Sequence, residues 1–290
     1  MSPENQRPAL SIVIPVFNGE GTIGRLTEQL LSELKDRYPL EIILVNDDST
    51  DHSEEVCLRL HERFPRHVKF LCLAKNVGEH NAVMAGLNYA RGDHAVIMDD
   101  DGQNPVSEVP RLVEAAVQGG YDAVYASYDR KYHPLWRNVG SWFNDQVANI
   151  LLGKPRGVYL SSFKALNRFL IQEIIKYDLP FPYIDGLILR TTSRIGQVKV
   201  AHATGGRNRS GYSLWKLVAL WSNLFVNFSI LPLRVCLLIG AVLVVMGSGV
   251  GIQLVALGLI GEYVGRMSLG LNKTPQYAIR RSYPDEGPGN

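Results

Sequence analysis

The amino-acid sequence predicts an α/β fold in which a mainly parallel sheet is covered by helices on both faces. Short apolar runs, several of them rich in β-branched residues, alternate with longer stretches that have helical spacing. This alternation is typical of βαβ units, whose strands are buried on both faces. Polar residues follow each of the first four runs, and sheets of this kind bind ligands at the carboxyl ends of their strands.

Four apolar runs in the first hundred residues predict four strands. They are residues 10–16, 41–45, 68–73 and 94–98. The stretches between them carry apolar residues at helical spacing; those of the first stretch are Ile23, Leu26, Leu30, Leu31 and Leu34. Strand and helix are therefore expected to alternate as far as residue 98.

The alternation is less regular after residue 122. The next apolar runs are residues 121–127, 157–163 and 196–204, the last of them strand-like, and we predict that strands and helices in this half complete the sheet and cover its edge. No Ser-rich or Gly-rich linker marks a second domain. We therefore expect one folded domain at residues 10–204, preceded by a polar tail at residues 1–9.

We predict that residues 205–230 form a basic loop followed by an amphipathic juxtamembrane helix. Residues 205–213 combine glycines, two arginines and small polar residues, and mobile basic loops beside an active site often close over anionic ligands. Residues 214–230 carry four aromatic side chains among polar ones, which is typical of a membrane interface.

A membrane segment is predicted at residues 231–265, because no residue between Arg234 and Glu262 is charged. Glycines in residues 246–251 divide it into two arms of about sixteen residues, each roughly 24 Å long and shorter than a typical bilayer core. Basic residues flank the segment on both sides, so both ends, including the tail at residues 266–290, are expected in the cytoplasm. A shallow hairpin, a single span and a deletion all stay open.

The polar residues at the predicted strand ends are candidates for a ligand site. They include Pro15, Asn18, Asp47, Asn76, Gly78, Asp99, Asp101 and Gln103. Each cluster taken alone is also explained as a helix cap, since Asp and Asn are ordinary capping residues and a helix follows each loop.

Residues 99–101 are three consecutive aspartates, which is more than a helix cap needs. Asp99 and Asp101 flank one residue, so their carboxylates can point to the same side and share a cation with phosphate oxygens. Mg²⁺ or Mn²⁺ suits such ligands. The pattern indicates nucleotide-sugar or nucleoside triphosphate chemistry, and the sequence has no P-loop.

Bulk properties exclude some partners. Thirty basic against twenty-eight acidic residues give a net charge of +2, which offers no global field to hold nucleic acid. Three cysteines without the spacing of a zinc site or a disulfide framework favour a reducing compartment. The polar first residues lack the apolar core of a signal peptide, so the amino-terminal part is expected in the cytoplasm.

The order of motifs resembles the inverting GT-A glycosyltransferases, specifically the group of dolichyl-phosphate mannose synthase and bacterial polyprenyl-phosphate sugar transferases. The motifs are IPVFN, VNDDSTD, KNVGEHNAVMAG, MDDDGQNP, YLSSFKALNR, FPYIDGLILRTT, RSGYSLWKL, LPLR and LGLIGEYVGR, and they extend over nearly the whole chain. The resemblance implies a Rossmann-like GT-A catalytic domain at the cytoplasmic membrane face. It further implies metal-dependent transfer of a sugar, with inversion, from a UDP-type or GDP-type donor to a polyprenyl phosphate.

The resemblance also implies residue roles. Asp99 and Asp101 would hold the metal, and Asp99, Asp101 and Gln103 would form the catalytic set. The residues implied for donor binding are Pro15, Asn18, Glu20, Asp47, Asn76, Gly78 and Asp99.

Four positions depart from the commoner pattern of these proteins. Gly19 stands where many members have an acidic residue, Asn46 replaces an aspartate and Asp48 a glycine, which leaves the donor open. Ser162 stands where many have an aspartate near the acceptor. A hydroxyl acceptor needs a base. A lipid phosphate is already ionised at neutral pH, so Ser162 is compatible with a phosphate acceptor.

Lys164, Arg207 and Arg209 are candidates for binding the acceptor phosphate, because arginine suits phosphate geometry and both residue types supply positive charge. Contact with anionic lipid headgroups, or simple solvation, is the alternative.

Two other functions stay open at this point. A glycosyltransferase that extends a polysaccharide or a lipid-linked saccharide would share the donor site. A catalytically degenerate scaffold that binds nucleotide-sugar would account for Gly19, Asn46 and Ser162. The aromatic juxtamembrane helix also allows self-association into a homo-oligomer.

Overall fold

A single eight-stranded sheet organises the part of the chain that the computed structural model describes, which is residues 8–128, 159–200, 250–271 and 275–284. The strands are β1 Leu10–Val16, β2 Leu40–Asn46, β3 Val68–Leu73, β4 His94–Ile97, β5 Ala123–Tyr128, β6 Lys164–Asn167, β7 Ile195–Val200 and β8 Ile279–Tyr283. The helices are α1 Ile23–Leu34, α2 Ser53–Arg63, α3 Glu79–Tyr89, α4 Val109–Gly119, α5 Arg168–Ile174, α6 Ile184–Thr191 and α7 Val250–Leu271.

The strand order is β7-β5-β6-β4-β1-β2-β3-β8, and the sheet is mainly parallel as predicted. β1 lies between β2 and β4 and runs parallel to both, and β2 runs parallel to β3. β6 and β8 are antiparallel to their neighbours. The carboxyl ends of β1 to β4 therefore meet at one edge, where the predicted ligand residues lie.

Apolar side chains on both faces of β1 explain why this strand is central. Ile12 and Ile14 pack into the core on the side of α1, whereas Val13 packs into the core on the side of α3. Gly86 lets α3 approach closely, since a Cβ at this position would lie 2.4 Å from a methyl carbon of Val13. The continuous apolar run of β1 is thus the signature of a strand buried on both faces.

The strand β6 begins directly after the apolar run at residues 157–163. It comprises Lys164–Asn167. The Ser161 hydroxyl accepts a hydrogen bond from the backbone N–H of Phe163, which turns the chain before the strand. Pairing with β4 also stops there, because the last residue of β4 pairs with Lys164.

The carboxyl-terminal stretch returns to the sheet. β8 pairs with β3, the N–H of Ala74 donates to the carbonyl of Ala278 at 2.8 Å, and the Tyr283 ring stacks on Phe70 at 5.9 Å. The predicted tail at residues 266–290 therefore contributes an edge strand, and α7 continues as far as Leu271.

None of the helices in the described residues is both long and apolar enough to cross a bilayer. The predicted basic loop and juxtamembrane helix at residues 205–230 lie outside the described residues, as does the first part of the predicted membrane segment, residues 231–249.

Candidate active site

A cavity of about 340 Å³ opens at the carboxyl ends of the central strands. Its wall consists of Pro15, Val16, Phe17, Asp47, Asn76, Gly78, Glu79, Asp99 and Asp100. These residues come from the ends of β1 to β4 and from the start of α3. The structure thus brings together five of the predicted donor-site residues, namely Pro15, Asp47, Asn76, Gly78 and Asp99.

Asp99 and Asp101 lie on the turn directly after β4. The Oδ2 atom of Asp99 accepts hydrogen bonds from the Ser162 hydroxyl at 2.6 Å and from the side-chain amide of Asn104 at 3.4 Å. The Oδ1 atom of Asp101 accepts a bond from the backbone N–H of Gln103 at 2.9 Å. Both carboxylates are therefore held in place, and Asp99 Oδ1 accepts no bond from the described residues.

Burial and neighbouring negative charge disfavour the charged forms of Asp100 and Asp101. Withdrawal from water, together with the charges of Asp99 and Asp101, raises the pKa of Asp100 to about 7, although a bond from the Phe17 N–H opposes this. Burial and the Asp99 charge also raise the pKa of Asp101. A divalent cation would relieve this repulsion, so the residues fit the implied metal.

Nowhere in residues 8–128, 159–200, 250–271 and 275–284 do three or more His, Cys, Asp or Glu side chains form a group that could hold a metal ion. A site with two protein carboxylates agrees with this finding. Mg²⁺ is commonly bound through one or two carboxylates, with substrate phosphates as further ligands.

Ser162, the departure from the usual aspartate, is part of the support around Asp99. Its hydroxyl can donate to the Asp99 carboxylate, whereas a second carboxylate at this position would repel it. Asn104 supports Asp99 from the other side and in turn accepts a bond from the Tyr128 hydroxyl at 2.5 Å. Sequence reasoning missed both residues: Tyr128 lies on another strand, and Asn104, although only five residues from Asp99, has no pattern that indicates its contact.

Asp47 connects the cavity wall to the start of α3. Its two carboxylate oxygens accept bonds from the backbone N–H groups of Val77 at 2.8 Å and Gly78 at 2.9 Å. The Asn76 side chain donates to the backbone carbonyl of Asp47 at 3.1 Å. Gly78 has a φ of +89°, a conformation that favours glycine. Asp47 therefore holds the turn that leads into α3, and it also lines the cavity.

We expect Asp47→Ala to weaken donor binding more than it slows the chemical step, because its implied contact is with the nucleoside. The same change should lower the free energy of unfolding by about 1–3 kcal/mol, since two N–H groups lose their acceptor. Calorimetric titration with the donor and urea unfolding measure the two effects. The control is Asp36→Ala, at an exposed aspartate outside the site. Lower stability with unchanged donor affinity would show that Asp47 only supports the turn before α3.

Asn18 and Glu20 tie the loop after β1 to the loop after β2. Asn18 Oδ1 accepts bonds from the N–H and hydroxyl of Thr50, at 2.9 Å and 3.2 Å, and Glu20 accepts a bond from the N–H of His52 at 2.9 Å. Neither side chain belongs to the described cavity wall. Their direct donor contact stays a prediction, and their observed contacts support the shape of the cavity.

Gly19 leaves room for the carboxylate of Asp100. A Cβ at residue 19 would lie 2.4 Å from Asp100 Oδ2, which also accepts a bond from the Phe17 N–H at 3.2 Å. The middle aspartate thus fills the space that a side chain at residue 19 would take. The departure at Gly19 and the middle carboxylate, Asp100, therefore belong together.

Lys164 forms a buried ion pair with Asp185, and the two side chains are 4% and 12% exposed. The Tyr125 hydroxyl donates to the same Asp185 oxygen at 2.8 Å, and the Lys164 ammonium lies 5.3 Å from the centre of the Tyr125 ring. The sequence did not reveal this partner. The acceptor role of Lys164 stays a prediction. Its ammonium group is already paired with the Asp185 carboxylate.

The remaining predicted residues are not tested by these contacts. The backbone of Gln103 shapes the turn through its bond to Asp101, and a catalytic role for its side chain stays a prediction. Arg207 and Arg209 lie outside the described residues.

Glu79 is a cavity residue that the sequence analysis did not select. It stands in the first turn of α3, directly after Gly78, and its carboxylate accepts no hydrogen bond within the described part of the chain. Withdrawal from water, followed by the negative charge of Asp99, raises its pKa to about 7. Its place after a strand-end loop was the one available signal in the sequence.

Comparison with known proteins identifies relatives along most of the chain. The model of the family described as Glycosyl transferase family 2 matches residues 11–175. The undecaprenyl-phosphate 4-deoxy-4-formamido-L-arabinose transferase of Photorhabdus laumondii subsp. laumondii is 30% identical over 95% of this chain and 94% of its own length. The protein of the same name from Yersinia enterocolitica is 31% identical, over 97% of this chain and 95% of its own.

Solved structures with a similar fold include glucosyl-3-phosphoglycerate synthase from Mycobacterium tuberculosis. Its complex with uridine diphosphate has a TM-score of 0.54 at 24% identity and covers 75% of this chain and 80% of that one. Its complex with Mn²⁺, uridine diphosphate and phosphoglyceric acid has a TM-score of 0.55 at 24% identity, covering 75% and 78%. At this identity the likeness shows the fold alone.

Proposed function

The chain belongs to glycosyl transferase family 2, and we propose that it transfers a sugar from a nucleotide-sugar to a polyprenyl phosphate at the cytoplasmic face of the membrane. One observation carries this proposal. Asp99, with Asp101 on the same turn, borders a cavity at the strand ends, in a chain that is similar over 95% of its length to undecaprenyl-phosphate sugar transferases.

Asp99 and Asp101 would hold a divalent cation, either Mg²⁺ or Mn²⁺. When bound, such a cation neutralises the charge that develops on the departing diphosphate. The chain supplies two carboxylates fixed by Ser162, Asn104 and the Gln103 backbone. The nucleoside would occupy the part of the cavity beside Asp47 and Asn76, and the diphosphate the part beside Asp99.

The reaction would be a single displacement. An oxygen of the acceptor phosphate forms a bond to the anomeric carbon while the bond from that carbon to the diphosphate oxygen breaks, which inverts the configuration. The attacking phosphate is already ionised, so no general base is needed. The hydroxyl of Ser162, which is bonded to Asp99, is compatible with this role. Lys164, Arg207 and Arg209 are the proposed contacts of the acceptor phosphate.

The return of β8 to the sheet bears on how the membrane segment is arranged. Because β8 pairs with β3, the chain after α7 lies on the catalytic domain. A single crossing by residues 231–265 would place the two on opposite sides of the membrane. The pairing therefore supports a shallow hairpin over a single span, with the catalytic domain and the carboxyl-terminal strand both in the cytoplasm.

Replacing either Arg207 or Arg209 by alanine should raise the apparent KM for polyprenyl phosphate much more than the KM for the donor. Loss of one charge-assisted bond costs about 1–3 kcal/mol, or roughly five- to a hundredfold. Lysine should recover only part of the loss, because its ammonium is a point charge, whereas a guanidinium group can donate two parallel hydrogen bonds to one phosphate. Initial rates at varied donor and acceptor measure both constants, with Arg59→Ala on the exposed face of α2 as the control. A rise in donor KM alone would show that these arginines bind the donor and not the acceptor.

A donor panel tests the proposed function. Purified full-length protein in detergent is incubated with Mn²⁺, one UDP-sugar or GDP-sugar at a time, and undecaprenyl phosphate, and release of nucleoside diphosphate is measured. We expect release that depends on both the cation and the lipid phosphate for at least one donor. Release that requires an oligosaccharide acceptor and ignores the lipid phosphate would favour polysaccharide extension and overturn the proposal.

A further inference from the structure

Three of the four carboxylates in the cavity wall already accept hydrogen bonds from the protein. Asp47 accepts from two backbone N–H groups, Asp99 from Ser162 and Asn104, and Asp100 from the N–H of Phe17. The donors of these hydrogen bonds belong to different segments of the chain for each of the three carboxylates. Glu79 differs from all three, because no donor within the described residues reaches its carboxylate.

Glu79 belongs to the Asp99 end of the cavity. Glu79 and Asp99 line the same cavity, and after burial the charge of Asp99 has the largest influence on the pKa of Glu79, ahead of Lys164, Asp185 and Asp100. The next residue, His80, packs edge-on against Tyr183 at 5.1 Å, which fixes the start of α3 beside the residue that precedes α6. The position of Glu79 is therefore set by packing and does not depend on a flexible loop.

The described cavity wall offers Glu79 no positive partner. It contains no lysine or arginine, and the nearby Lys164 is paired with Asp185. Among the described residues nothing satisfies this carboxylate, which leaves it open to water and to hydrogen-bond donors that a ligand brings. In a nucleotide-sugar the group beyond the diphosphate is the sugar, and its hydroxyl or amino substituents are such donors.

We propose that Glu79 is a specificity-determining residue that binds the transferred sugar by accepting hydrogen bonds from its hydroxyl or protonated amino groups. This inference rests on the proposed function, since it places the diphosphate at Asp99. It assigns to the sugar a contact from the first turn of α3, separate from the metal carboxylates and from the nucleoside end of the cavity.

The test compares Glu79→Gln and Glu79→Ala with the unmodified full-length protein. For each, kcat/KM is measured with donors that carry the same nucleotide and either a neutral hexose or an amino sugar, and the dissociation constant of the free nucleoside diphosphate is measured with Mn²⁺. Glu62→Gln, at an exposed glutamate of α2, is the matched control. Thermal unfolding of each variant reports on the fold.

We expect Glu79→Ala to lower kcat/KM for the preferred donor about ten- to a hundredfold while the affinity for the free nucleoside diphosphate stays unchanged. Glutamine recovers much of the loss if the contact is a hydroxyl, and little if it is an ammonium, because glutamine keeps the acceptor but not the charge. Equal losses of nucleotide and donor affinity, or an unaltered ranking of sugars, would overturn the proposal. Failure of the unmodified protein to transfer any sugar would instead count against the proposed function.

Discussion

Asp101→Ala is expected to abolish sugar transfer while leaving the fold intact. The cation would lose one of its two protein carboxylates, and the departing diphosphate would lose its neutralisation. A deficit of several kcal/mol in transition-state stabilisation corresponds to a fall in kcat of roughly a thousandfold or more. The fold should survive, because within the described residues the Asp101 side chain accepts a hydrogen bond only from the Gln103 N–H, which belongs to the same turn.

The measurement is transfer rate at increasing Mn²⁺ concentration, together with thermal unfolding of the variant. Asp36→Ala serves as the control for a lost surface carboxylate. Near-normal turnover of Asp101→Ala under metal-limited conditions would contradict the metal assignment. Loss of activity through unfolding would contradict the expectation that Asp101 is not needed for the fold.

Asp185→Ala is expected to lower the free energy of unfolding by roughly 3–5 kcal/mol, because it leaves the buried ammonium of Lys164 without its partner. The Tyr125 hydroxyl loses the same acceptor. Both ionic side chains are almost completely withdrawn from water, so solvent cannot replace the lost contact. Equilibrium unfolding in urea measures the change.

A triple variant, Tyr125→Phe with Lys164→Met and Asp185→Leu, separates the loss of the pair from the cost of one unpaired charge. Replacing every member of a buried ionic group by apolar residues is often close to neutral, so this variant should regain most of the stability. It also tests the acceptor role of Lys164, which predicts a raised acceptor KM in the folded triple variant. A loss below about 1 kcal/mol in Asp185→Ala would show that the pair is not essential to the fold.

The central strands could be predicted because their burial shows directly in the sequence. β1 and β3 carry mostly apolar residues on both faces, and the runs at residues 10–16 and 68–73 coincide with the observed strands. β8 gave no such signal. Arg280 and Arg281 lie in an edge strand that is partly exposed, and its pairing with β3 depends on a contact across some two hundred residues.

Residues of the site were predictable where they follow a strand, and less so where a distant partner decides their role. Asp99 and Asp47 were found because parallel strands deliver their ends to one edge. The pairing of Lys164 with Asp185, and the bond from Ser162 to Asp99, join separate elements and leave no local pattern. Glu79 looked like an ordinary first-turn acidic residue until its position in the cavity was known.

The most direct test of the account is mass spectrometry of the lipid product formed from undecaprenyl phosphate, with undecaprenol as the matched acceptor that lacks the phosphate. We expect a product heavier than undecaprenyl phosphate by one sugar residue, formed by the unmodified protein with a divalent cation and absent with undecaprenol. A sugar joined to undecaprenol, or to a saccharide while undecaprenyl phosphate stays unmodified, would contradict a phosphate acceptor.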